Sequence, residues 1–85
     1  MVLMVELDLV GAVVTLTNAQ AEQILNAAAA DAGRSDAHRD LSLLLTRALH
    51  TGKRVALQRG EKRALDEILA REEFDDLKAA INIEP

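Results

Sequence analysis

The chain has 85 residues, fourteen acidic and ten basic, for a net charge of −4, with one aromatic residue and no cysteine. That length holds a single small domain spanning residues 1–85, and the lack of cysteine excludes a disulfide framework or a thiolate metal site. No stretch reaches the ~18 apolar residues of a membrane span, and Phe74 alone cannot build the stacking platform that single-stranded nucleic acid needs.

The opening "MVLMVELDLVGAVV" lacks a basic leader, and Glu6 and Asp8 interrupt its apolar run, so a cytoplasmic location is expected rather than export. Val5, Leu7 and Leu9 alternate with these acids, the period of a strand with one wet face. Gly11 breaks the parity, because the next alternating pair is Val14 and Leu16. A bulge or tight hairpin at Val10–Gly11 accounts for the shift. Residues 10–14 are apolar on both faces, which calls for cover on both sides by helices or a second subunit. Val10 and Val13 are therefore candidate interface residues.

"TNAQ" follows as a capping box, Thr17 and Gln20 each satisfying an orphan amide of the other's segment. The first helix then places Ala21, Ile24, Leu25, Ala28 and Ala32 on one stripe, with Gly33 as its expected stop. Ser35 or Asp36 caps a second helix carrying Leu41, Leu44, Leu45, Ala48 and Leu49, which ends before Gly52. The short connector implies a helical hairpin. Leu43 falls opposite that stripe, so a large aliphatic side chain faces outward and becomes the third candidate interface residue.

Val55 and Leu57 alternate as a short strand, and Gln58 with Glu61 repeats the cap spacing in a weaker form, because glutamine is a poor cap. Leu65, Ile68 and Leu69 carry a third helix, which should end before Glu72. Phe74, Leu77 and Ile81 mark a short fourth. The expected architecture is α+β and mostly helical, with two short strands and four helices. Val14, Leu16, Gln20 and Ile24 match Val55, Leu57, Glu61 and Leu65 at an offset of 41 residues. This suggests two pseudo-repeated strand–helix–helix halves whose short strands pair.

Charge is segregated. Residues 1–32 hold four acids and no base, residues 33–63 eight bases and three acids, and residues 64–85 two bases and seven acids. Lys53, Arg54, Arg59, Lys62 and Arg63 concentrate half of all the bases, forming a candidate surface for an anion or an acidic partner. The competing reading is solvated helix skin: Arg63 has Asp66 and Glu67 at i+3 and i+4, and "REEFDD" offers acids in the same or another subunit. No helix-turn-helix, zinc finger or RNA-binding signature accompanies the bases.

Enzymatic chemistry finds little support. His38 neighbours Ser35, Asp36 and Asp40, but cap duty explains Ser35 and Asp36, and half-buried packing suits His38. His38 and His50 are twelve residues apart, without metal-ligand spacing, and "EEFDD" lacks the glycine and alternating ligands of a calcium loop. "TGK" at residues 51–53 lacks the rest of a phosphate loop. No cofactor and no metal is expected. These features together predict a non-enzymatic protein–protein interaction or regulatory module of adaptor, inhibitor or antitoxin-like kind, homodimeric, whose partner is another protein. The alternative is a nucleic-acid-associated regulator that uses the basic residues 53–63.

Overall fold

A computed structural model describes residues 4–9 and 11–84, with side chains described through residue 81. In chain order the elements are β1 (Met4–Leu9), β2 (Ala12–Thr17), α1 (Asn18–Ala30), α2 (Asp36–Thr51), β3 (Val55–Ala56) and α3 (Arg59–Leu69). A 3₁₀ turn (Glu72–Phe74), α4 (Asp75–Ala80) and β4 (Asn82–Glu84) complete it. The α+β, mostly helical class and the four helices are as expected. The sheet is larger than expected, with four strands in the order β3-β1-β2-β4.

The break in parity at Gly11 is a hairpin. Leu9 pairs with Ala12, leaving two connecting residues, and Gly11 takes a φ of 86° that side-chain-bearing residues adopt only with strain. The antiparallel register sets Val5 against Leu16 and Leu7 against Val14, so the inward residues of both strands share one face. β3 joins the other edge of β1 in parallel, Leu7 opposite Val55, and the Leu57 amide donates to the Asp8 carbonyl at 2.9 Å to extend the ladder. β4 pairs antiparallel with β2. The strands expected to pair as pseudo-repeats, Val14–Leu16 and Val55–Leu57, lie on opposite sides of β1 instead, so the 41-residue offset has no counterpart in strand pairing.

Thr17 and Gln20 form the reciprocal capping box, with the Gln20 amide donating to Thr17 Oγ1 at 3.1 Å and the Thr17 amide to Gln20 Oε1 at 2.9 Å. α1 buries Ala21, Ile24 and Ala28, and stops at Ala30 rather than at Gly33. Asp31 is its C-cap, and the Arg34 and Ser35 amides close the following turn onto the Asp31 carbonyl. Gly33 takes no positive φ there, and Ala32 lies past the helix. Ser35 caps α2, its Oγ accepting from the His38 amide, and Gly52 ends that helix in the left-handed conformation at φ 72°. Gln58 precedes α3 without making a cap bond, as its chemistry implies.

One face of the sheet meets the helices and the other does not. Val5, Leu7, Leu9, Val14 and Leu16 are buried beneath Ile24, Leu41, Leu45, Leu65 and Ile68, and Phe74 and Leu77 close the core from the C-terminal side. On the opposite face, Glu6, Val13 and Thr15 are half-buried, and Met4, Asp8 and Thr17 are exposed. The cover expected on both sides of residues 10–14 is thus present on one side only, among the described residues. Val10 lies outside them.

A Cβ at Gly11 or at Gly33 would meet no atom within 4 Å, so backbone conformation alone distinguishes the two sites. Gly11→Ala is expected to destabilise the fold by about 1–2 kcal/mol, the cost of holding an L-residue at positive φ. Gly33→Ala should leave stability unchanged or raise it by up to about 1 kcal/mol. Paired thermal unfolding of the two variants reads the difference.

Candidate functional site

Leu43 sits on the outer side of α2, 61% exposed, where the periodicity of the helix puts it. It opens onto a cleft that also involves Asp40, Leu44, Arg47 and Glu61. Leu44 and Arg47 continue into a second cleft of about 430 Å³, closed on its far side by Lys53, Arg54, Val55 and Ala56. Asp40, Leu43, Leu44, Arg47 and Thr51 recur at intervals of three and four along one flank of α2. The second cleft is a trough between that flank and β3, and it shares Leu44 and Arg47 with the first, whose opposite wall is Glu61 of α3. Among the described residues β3 is an edge strand, paired to β1 and to no other strand, so one side of its backbone is unused by the sheet.

The basic residues do not form one continuous track. Lys53 is exposed at the trough. Arg54 crosses to the uncovered sheet face, where its guanidinium donates to Glu6 at 2.8 Å. Arg59 and Lys62 flank a smaller cleft against Leu57 and Gln58. Arg63 borders a third, beside His38 and Gly60. Among the described residues Lys53, Arg59, Lys62 and Arg63 make no ion pair, and none of the five bases pairs with an acid of residues 72–76. Val13 lies on the uncovered sheet face and Leu43 on the helical layer, so the structure assigns the interface candidates to two different surfaces.

A second polar constellation draws on three helices. Asp31 caps the end of α1, His38 lies in the first turn of α2, Glu67 lies near the end of α3, and Arg71 follows α3 at the junction with the 3₁₀ turn. Arg71 Nε and Nη2 each donate to Glu67 at 2.9 Å, a two-pronged match of guanidinium and carboxylate, and Nη2 also donates to Asp31. These bonds to Arg71 hold the Asp31 and Glu67 carboxyls below their ordinary range, and they hold the guanidinium more firmly in its charged form. His38 Nε2 stands 3.8 Å from Glu67, outside hydrogen-bonding range. Both ring nitrogens are buried and without a hydrogen-bond partner among the described residues, an omission that ordinarily costs about 1–3 kcal/mol.

Local sequence reasoning finds only part of this cluster. Glu67 and Arg71 carry the i,i+4 spacing of a helical ion pair. Arg71 takes Glu67, one of the two acids that helical spacing offers to Arg63, and Arg63 pairs with neither Glu67 nor Asp66 among the described residues. Asp31 and Arg71 are forty residues apart, and no periodicity announces their meeting. Ser35 bonds the His38 backbone rather than its ring, so no nucleophile–base pair exists there, and Asp36 pairs with Arg39 at 3.3 Å. His50 is exposed in the last turn of α2, where a base complements the helix dipole. No helix among the described residues is long and apolar enough to cross a membrane. Comparison with protein-family models, curated proteins and solved structures returned no match.

The depressed carboxyls link stability to pH. A carboxyl whose folded pKa lies below its unfolded value stabilises the fold above the unfolded value, and that contribution is lost as pH falls through the folded one. The thermal midpoint of the wild type is therefore expected to decline as pH is lowered below the ordinary carboxylate range. Arg71→Met should lower the midpoint near neutrality and flatten this acid-side decline, as read by unfolding curves at a series of pH values.

Proposed function

We propose that the chain is a non-enzymatic protein-interaction module, homodimeric, that binds an acidic extended segment of another protein in the trough between α2 and β3. The observation that carries this reading is the convergence there of an open strand edge, Leu44 and the cations Arg47 and Lys53, with the exposed Leu43 in the adjoining cleft. An unused strand edge supplies backbone hydrogen bonds to an extended segment, and alternate side chains of that segment find the apolar wall and the bases. The charges speed encounter and select acidic sequences, while Leu43 and Leu44 supply the apolar contact. Self-association belongs to the other surface, the uncovered sheet face bearing Met4 and Val13. Adaptor, inhibitor and antitoxin-like roles all fit such a module.

The second reading is a nucleic-acid-associated regulator, favoured by the unpaired exposed bases Lys53, Arg59 and Arg63. Against it stands their division among three clefts, where a phosphate backbone calls for a continuous basic groove.

Capture of partners from host lysate, with and without nuclease, tests both. A protein recovered after nuclease treatment, and lost when Leu43→Asp is combined with Arg47→Glu, is the expected result. Recovery that requires intact nucleic acid and collapses steeply with salt would establish the second reading instead. Light scattering of Val13→Lys separates the two surfaces: this variant should become monomeric and still bind the partner.

A further inference from the structure

From the juxtaposition of Asp31, His38 and Glu67 we infer a binding site for one zinc-like transition-metal dication, in which the Arg71 guanidinium and the metal are alternative occupants. One ligand atom from each of the three side chains lies within 4.8 Å of the other two, with Asp31 and His38 on either side of the α1–α2 connector and Glu67 brought in by α3. An imidazole nitrogen with two carboxylate oxygens is a donor set that zinc and its neighbours accept, at bond lengths of about 2.0–2.2 Å. Calcium requires six to eight oxygens, which the cluster does not supply.

Four further points support the same site. Both nitrogens of His38 are buried and unpartnered, although they sit beside two acids. A guanidinium has only donors, so Arg71 offers no acceptor to an imidazole N–H, and it repels a protonated ring. A metal ion gives Nε2 the partner it lacks. Charge matters next: the two carboxylates exceed the single charge of Arg71 by one, whereas a dication neutralises both. Finally, Arg71 can leave. It lies at the non-helical junction after α3 with its side chain 29% exposed, so swinging it into solvent unwinds no helix. A cleft of about 480 Å³ bordered by His38, Gly60, Arg63 and Glu67 reaches the same place and leaves a route for the ion and a position for water. Bound metal would tie the end of α1, the start of α2 and the end of α3 to one centre.

The test is calorimetric titration of zinc into the untagged, metal-free full chain at neutral pH, with cobalt absorption spectra as a second readout. One ion per chain is expected for the wild type, with the intense visible bands of four-coordinate cobalt. His38→Gln should abolish binding. Arg71→Met should tighten it by on the order of tenfold, since one competing unit charge is removed, and zinc should restore the thermal midpoint that this variant loses. Absence of saturable 1:1 binding to the wild type overturns the proposal, including the case in which only Arg71→Met binds, because the guanidinium is then a permanent occupant. Retention of binding in His38→Gln overturns the assigned ligands. Unchanged affinity in Arg71→Met overturns the exchange. Should Arg71→Met fail to fold, the wild type and His38→Gln still decide the metal site, and Arg71→Gln takes the place of Arg71→Met in testing the exchange.

Discussion

A core with one aromatic residue has little volume to fill the space between layers, so the layers must approach closely. The alanines make this possible. Ala21 and Ala28 of α1, Ala48 of α2 and Ala64 of α3 are buried at contact positions, where a larger side chain would hold the backbones apart. Leucine and isoleucine then fill what remains, and Leu7, Leu16, Ile24, Leu41, Leu45, Leu65 and Ile68 are all essentially inaccessible. Close packing of this kind tolerates small changes of volume poorly. It accompanies the single-sided arrangement of the described residues, in which the helices cover one face of the sheet.

The segregated charge of the chain resolves into local pairings that cross the segment boundaries. Acidic β1 meets the basic middle through Glu6 and Arg54, and the acidic end of α1 meets the C-terminal third through Asp31 and Arg71. Such pairs on or near the surface contribute little stability individually. Their value lies in position, since each joins an early element to a late one. The bases left over line clefts, and they give the trough beside β3 its sign.

Much of this fold is legible in the sequence because its signals are local. The alternation of Val5, Leu7 and Leu9, the parity break at Gly11, the box of Thr17 and Gln20, and the outward Leu43 all depend on residues within a few positions of one another. What escapes depends on distance along the chain. β4 carries three residues after Ile81, too few for a pattern, and exists because β2 has a free edge to pair with. The offset between Val14–Leu16 and Val55–Leu57 is visible, but the insertion of β1 between those strands is a property of the whole topology. Gly33 attracts attention as a helix stop, yet Asp31 ends α1 with its own backbone bonds before the glycine is reached. The Asp31–His38–Glu67–Arg71 cluster shows only its Glu67–Arg71 edge, because its other members are brought together by the packing of α1, α2 and α3.

The parallel pairing of β1 with β3 has a kinetic meaning. The hairpin of β1 and β2 closes over two residues, whereas Leu7 reaches Val55 only after α1 and α2 have folded back across the sheet. A contact of such long range brings its full loop entropy to the transition state and is repaid there by only two paired residues. β3 therefore docks after the hairpin of β1 and β2 has closed. A segment seated in the trough would add a second neighbour to a strand that now pairs through two residues, and amide exchange in β3 would slow when it bound.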